Sequence, residues 1–180
     1  MRRHTKEIHD TNIMYELLDS CHVGRLGTNG SNGYPMVKPL NFAFLNGNIY
    51  FHTAREGEKI DDIRRDSRVC FEVDLPIAYV KSDKNPCKAS YLYRSVIIRG
   101  KAYLIDDQEE RGAALNALMK KYQPDGGYGE YLDEKLRITG VVRIDIEEMV
   151  GKEDLGEAGL REAAINALAV KAPFPIILER

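Results

Sequence analysis

A histidine, a threonine and a lysine lie close together in the segment YFHTAREGEK, residues 50–59. His52 and Thr53 end an alternating run that predicts a strand, and Gly57 and Lys59 follow where a helix is predicted to begin. The N–H groups in the first turn of a helix lack backbone partners, and the helix dipole favours anions there. A lysine in that turn adds a mobile cation suited to a phosphate. The segment is therefore either an ordinary strand-to-helix junction or a site for a phosphorylated ligand.

The preceding segment MVKPLN, residues 36–41, bears on the same question. Pro39 cannot donate to a strand ladder, so this segment is predicted to be an edge strand or an interrupted pairing with backbone groups free for a ligand. In the strand that ends at His52 and Thr53, successive side chains point to opposite faces. One face, predicted to be the interior, carries Ile49, Phe51 and Thr53, and the other carries Tyr50, His52 and Ala54.

The elements that must position these residues are readable from turns and periodicity. NGSNG at residues 29–33 and LNGN at residues 45–48 predict two hairpins, because Asn and Gly tolerate the positive φ of tight turns. Further strands are predicted in RVCFEVDL, in the long run YLYRSVIIRGKAYLI with a bend at Gly100, and in ITGVVRIDIEEM. Residues 76–90 are expected to be irregular. Helices are predicted in DTNIMYELLDSC, after Gly57, after a capping box at Asp107 and Glu110, and in EAGLREAAINALAV.

Composition limits the class of protein. A chain of 180 residues with 43% hydrophobic residues can form one substantial core. The formal net charge of -2 gives no basic field for nucleic acid, and no apolar run has the length of a membrane span. Three cysteines, Cys21, Cys70 and Cys87, form neither an even set nor a CxxC pair, which argues against an oxidising compartment, and no Cys/His cluster has metal-ligand spacing. A cytoplasmic protein without a metal site is expected.

About six hairpin-linked strands with inserted helices favour a mainly β protein, a closed antiparallel barrel, over a parallel α/β sheet. The segment PMVKPLNFAFLNGNIYFHTAREGEKIDDIRRDSRVCFEV, together with YRSVIIRG, resembles the FMN-binding split-barrel superfamily of pyridoxamine 5′-phosphate oxidase. Within it the sequence is most similar to nitroimidazole-resistance (Nim) and related flavin-nucleotide-binding proteins. The likeness covers residues 8–150. It implies a six-stranded antiparallel split β-barrel over residues 1–150, with residues 151–180 as a C-terminal helix and tail on the same domain.

The resemblance also implies a homodimer with FMN, or alternatively FAD, at the subunit interface. His52 would be the catalytic proton donor or substrate contact, since an imidazole can donate a proton near neutral pH. Lys59 would hold the phosphate, and Arg94 and Ser95 would make polar contacts to the flavin. The other residues expected to contact the cofactor are Val37, Lys38, Pro39, Leu40, Asn41, Thr53 and Ala54.

The sequence departs from the oxidase in two places. Glu58 stands where the oxidase has a second basic residue, so Arg55 or the partner subunit would have to complete the phosphate site. The chain has no tryptophan and lacks the Arg- and His-rich end that holds pyridoxal phosphate in the oxidase. The function predicted is a flavin-dependent oxidoreductase that reduces a small electron-poor acceptor such as a nitroaromatic. The alternatives are a non-catalytic flavin sensor or carrier, and a haem-binding split-barrel protein.

Overall fold

The computed structural model describes residues 4–83, 85–172, 174 and 176–179. Within these ranges strands hold more residues than helices, which confirms the prediction of a mainly β protein with additional helices. The strands are β1 Glu7–Ile8, β2 Gly24–Asn29, β3 Pro35–Leu40, β4 Ala43–Leu45, β5 Asn48–Ala54, β6 Arg68–Lys81, β7 Ser90–Leu104, β8 Thr139–Asp154 and β9 Ile176–Glu179. The helices are α1 Thr11–Ser20, α2 Glu58–Arg65, α3 Gln108–Tyr122, α4 Asp133–Ile138 and α5 Ala158–Ala169.

Seven of the strands are hydrogen-bonded in the order β3, β2, β6, β7, β8, β5 and β4, with β1 on β8 and β9 on β6. β2 is antiparallel to β3 and β6, and β5 is antiparallel to β4 and β8. The described residues thus contain nine strands where the sequence predicts six. One reason is that the segment between the two predicted hairpin turns divides into β3 and β4, because the Phe42 amide donates to the Tyr122 hydroxyl at 3.0 Å.

Both predicted hairpins are present. β2 and β3 are joined by a turn in which the Gly30 amide donates to the Tyr34 carbonyl at 3.0 Å. β4 and β5 are joined through Asn46 and Gly47, whose φ values of 50° and 80° are those a tight turn requires. Asp107 also caps α3 as predicted, since its side chain accepts from the Glu110 amide at 2.8 Å.

One local prediction is wrong, and two elements were not predicted. Residues 76–81, expected to be irregular, continue β6 despite Pro76, and of the described residues that follow, 82, 83 and 85–89 lie outside a strand. α4 is too short to leave a helical pattern in the sequence. β9 is stabilised by parallel pairing with β6, from Ala78↔Ile176 to Lys81↔Glu179, and this pairing partner is distant in sequence.

The chain divides into two compact units, and β6, β7 and β8 contribute to both. The first unit comprises Met1–Leu17, Asp74–Val96 and Val150–Arg180, and its core contains Ile77, Ala78, Val80, Leu92, Leu155 and Ala164. The second unit comprises Leu18–Val73 and Ile97–Met149. One of its core clusters contains Ala43, Tyr50, Ala114, Leu115, Leu118 and Val141. No helix in the described ranges is long and apolar enough to cross a membrane.

Candidate functional site

The junction between β5 and α2 in the second unit has the form that the sequence predicts. Gly57 is the N-cap residue of α2, with φ 108°, a conformation that glycine adopts readily. It has no side chain to cap the helix, and its carbonyl accepts from the Ile60 amide at 2.8 Å. The amides of Glu58 and Lys59 precede the first intrahelical donor. This helix end can therefore donate to an anion.

Two lysines add positive charge to this helix end. The Lys59 ammonium lies 5.1 Å from the centroid of the Phe51 ring. Burial lowers the pKa of Lys59, and the nearby charge of Lys38 lowers it further. Lys38, on β3, pairs with Glu58 at 3.1 Å, and both of these side chains are exposed. The ammonium groups of Lys38 and Lys59 thus repel each other beside one helix N-terminus. A bound anion would reduce this repulsion.

A buried polar group fixes α2 against β2. Asp62 is 1% exposed, and its carboxylate accepts from the Thr28 hydroxyl at 2.9 Å and from the Arg65 guanidinium at 2.8 Å. The hydrogen bond from Arg65 is the main reason that the pKa of Asp62 is lowered. Sequence reasoning missed Asp62, because the run Asp61-Asp62 looks like an exposed face. β2 also pairs with β3, so this contact helps to place Lys38 relative to α2.

β3 is an edge strand, as the proline predicted. In the described part of the chain it pairs only with β2, and it ends the strand order. Its residue Val37 is 60% exposed, and Asn41, which directly follows the strand, is also exposed. The backbone groups of an edge strand that face away from its neighbour are available to a ligand or another chain. The predicted cofactor contacts Val37, Lys38, Pro39, Leu40 and Asn41 therefore follow one open edge.

His52 and Phe51 lie on opposite faces of β5, and Phe51 is the residue that lies beneath Lys59. Phe51 is fully buried and contacts Lys59, whereas Tyr50 packs in the cluster formed with α3. Because side chains alternate along a strand, His52 shares the face of Tyr50, and Thr53 shares the face of Phe51. Ala54 shares the face of His52. The predicted site residues of β5 thus serve two different surfaces.

His52 lines a cavity of about 310 Å³. The cavity has residues of α3 and α4 on its other sides, and Asn41 also lines it. His52 itself is exposed. The sequence offers no signal for this cavity, because α4 leaves no recognisable pattern.

Of the remaining predicted residues, Arg94 and Arg55 have ion-pair partners in the described structure. Arg94 and Ser95 belong to the first unit, where the Arg94 guanidinium pairs with Glu153 at 3.0 Å and Ser95 is partly buried. Arg55, the predicted supplementary cation, pairs with Asp106 at 2.6 Å. Three further arginines near α2 are ion-paired: Arg64 with Asp61, Arg65 with Asp62, and Arg68 with Asp66.

The fold and the strand-to-helix junction define a split β-barrel protein. The sequence profile of the pyridoxamine 5′-phosphate oxidase family matches residues 10–153, and the chain belongs to this family. The predicted superfamily and fold class are confirmed. A search of the curated proteins finds no match.

Solved structures of similar fold include proteins of several kinds. A putative 5-nitroimidazole antibiotic resistance protein from Bacteroides thetaiotaomicron is 28% identical, with TM-score 0.71, over 82% of this chain and 86% of that chain. The flavocytochrome Anf3 from Azotobacter vinelandii is 21% identical, with TM-score 0.77, over 90% and 77% of the two chains. The FAD and heme binding protein from Mycobacterium smegmatis is 18% identical, with TM-score 0.72, over 90% and 80%. The last two show the fold alone.

Proposed function

We propose that the protein binds a flavin, FMN, and transfers electrons through it to a small electron-poor acceptor. The observation that carries the proposal is the pair of lysines, Lys38 and Lys59, beside the helix end at Gly57 and next to the open edge of β3. The likeness to the putative 5-nitroimidazole antibiotic resistance protein supports a nitro compound as the acceptor.

The phosphate of FMN fits the charges at the β5–α2 junction. A phosphate dianion would accept from the free amides of α2 and from the Lys59 ammonium. The Glu58 carboxylate would repel the phosphate, but the ion pair between Glu58 and Lys38 is exposed. Exposed ion pairs contribute only about 0–1 kcal/mol to stability. Lys38 can therefore turn from Glu58 to the phosphate at little cost. One terminal phosphate suits this set of donors, and for that reason we propose FMN, with FAD as the alternative.

The flavin ring fits the edge of β3. Backbone groups from Val37 to Asn41 would face the ring, and among the described residues no second strand pairs with that edge of β3. One ring face would then remain open to solvent. We propose that a second copy of the chain covers it, so that the flavin lies at the interface of a homodimer and Arg94 and Ser95 contribute polar contacts there.

Bound flavin would supply two-electron transfer between a reduced nicotinamide and the acceptor. Reduction of a nitro group to a nitroso group consumes two electrons and two protons and releases water. The nicotinamide gives up a hydride, which accounts for both electrons and one proton. The His52 imidazolium would give the second proton and recover it from solvent.

The experiment that tests the proposal is mass spectrometry of the small molecule released from the purified full-length protein. We expect FMN in near-stoichiometric amount, and turnover of a nitroaromatic with reduced nicotinamide above the rate of free FMN. Flavin binding without such turnover would indicate a sensor or carrier. A protein that contains no flavin and does not bind added FMN would contradict the proposal, and a Soret band after haem titration would favour the haem-binding alternative.

A further inference from the structure

The cavity beside His52 differs from the proposed phosphate site in the residues that line it. Most of its wall is apolar, with Leu115, Leu118 and Met119 from α3 and Leu136 from α4. Its volume of about 310 Å³ is at the lower end of the range for ligand sites. It therefore suits a ligand of one or two rings and is small for a whole mononucleotide. Neither Lys38 nor Lys59 lines it.

The polar groups of the cavity fall into two sets. The Tyr122 hydroxyl is committed to the fold, because it donates to the His22 carbonyl at 2.7 Å and accepts from the Phe42 amide. The Thr139 hydroxyl likewise donates to the Lys135 carbonyl at 2.9 Å. Among the described residues, by contrast, the side chains of Asn41, His52, Tyr131 and Lys135 have no hydrogen-bond or ion-pair partner. Four potential donors thus remain available in the lining of an apolar cavity.

We infer that this cavity, with its floor on α3 and its cover on α4, binds the electron acceptor as a single aromatic ring carrying a nitro group. The apolar wall would hold the ring, and the nitro oxygens would accept from His52 and Lys135. Asn41 lines the cavity and directly follows the edge strand proposed to hold the flavin ring, so the acceptor would lie beside that ring. The identity of the acceptor rests on the proposed function, whereas the position of the site rests on the cavity itself.

The test measures binding of nitrobenzene to the full-length protein, as purified, by ligand-observed NMR, with toluene as the matched ligand that lacks the nitro group. Met119→Trp fills the cavity, and Asn116→Trp places the same side chain on an exposed position of α3. We expect Met119→Trp to weaken nitrobenzene binding by about tenfold or more, since the ring loses its apolar contacts. Asn116→Trp should bind as the wild type does. His52→Ala should reduce the preference for nitrobenzene over toluene by roughly 2- to 10-fold, the net effect of one hydrogen bond.

Flavin content is measured for every variant, so that the two proposals can fail separately. If the protein holds no flavin but nitrobenzene binding follows the expected pattern, the cavity assignment stands and the proposed function fails. If flavin is bound and Met119→Trp binds nitrobenzene as tightly as the wild type, or if the wild type does not bind it at all, the cavity assignment is overturned. Should Met119→Trp fail to fold, Leu136→Phe fills the cavity from α4 and is judged by the same criterion.

Discussion

At the scale of single residues, Lys59 has the largest expected effect on cofactor affinity. Replacing it by glutamine removes the ammonium group but keeps a similar length. We expect flavin affinity to fall roughly 10- to 100-fold, which corresponds to the loss of one hydrogen bond to a charged group. Fluorescence titration with FMN measures this affinity. The matched control is Lys120→Gln, which replaces an exposed lysine of α3. Unchanged affinity in Lys59→Gln would remove this lysine from the phosphate site.

Lys121 gives a second prediction at this scale, one about stability. Its ammonium donates to the Leu18 carbonyl at 2.7 Å and lies 3.6 Å from the centroid of the Phe42 ring. Burial lowers the pKa of Lys121 from 10.5 to about 8. Between these values the unfolded chain binds the proton and the folded chain does not, so this contribution to stability rises with pH. This contribution of Lys121 to stability is complete above about pH 10.5 and is lost as the pH falls to about 8.

The comparison with Lys121→Met isolates that contribution. The free energy of unfolding of the wild type minus that of the variant should increase between pH 8 and pH 10, by at most about 1.4 kcal/mol per pH unit. Urea denaturation at each pH measures this difference. A difference that stays flat across the range would show that the lysine titrates normally in the folded protein.

At the scale of elements, the position of α2 depends on Asp62. Asp62→Ala removes two hydrogen bonds and leaves the Thr28 hydroxyl buried without its acceptor. We expect a loss of roughly 1.5–3 kcal/mol in the free energy of unfolding. Because the pKa of Asp62 is lowered, the difference from the wild type should persist at neutral pH and shrink only as pH falls below the ordinary aspartate range.

Asp61→Ala is the control for this prediction, since Asp61 is the exposed neighbour and its pair with Arg64 is loose, at 3.9 Å. It should change stability by less than about 0.5 kcal/mol. Flavin affinity should also weaken in Asp62→Ala, because α2 carries the amides and Lys59 of the proposed phosphate site. Equal stability of the two variants by urea denaturation would contradict the anchoring role.

At the scale of the whole molecule, the prediction is a homodimer. The open edge of β3 and the exposed Val37 leave the proposed flavin ring uncovered within one chain. We expect light scattering to give twice the chain mass of 20.4 kDa, with flavin bound. Dilution that produces monomers should also release flavin, because each ring would lose one of its two walls. A monomer that retains its flavin would rule out the interface site.

The sequence by itself determined the features that depend on neighbours along the chain. The turn at Asn46-Gly47, the cap at Asp107 and the junction at Gly57 each arise from backbone preferences and side chains within a few residues. Pro39 likewise marked β3 as an edge strand, since a missing amide is a property of the residue itself. The family motif lies in the same segments, and so the fold class could be predicted.

Only the tertiary structure decided which distant residues meet. Asp62 looks exposed in the sequence, and its burial follows from a contact with Thr28, 34 residues away. β6 continues past Pro76 and pairs there with β9, from the end of the chain. The cavity beside His52 exists because α4, which has no sequence signature, closes against α3. These features arise from packing between segments far apart in sequence, and short-range preferences carry no information about such packing.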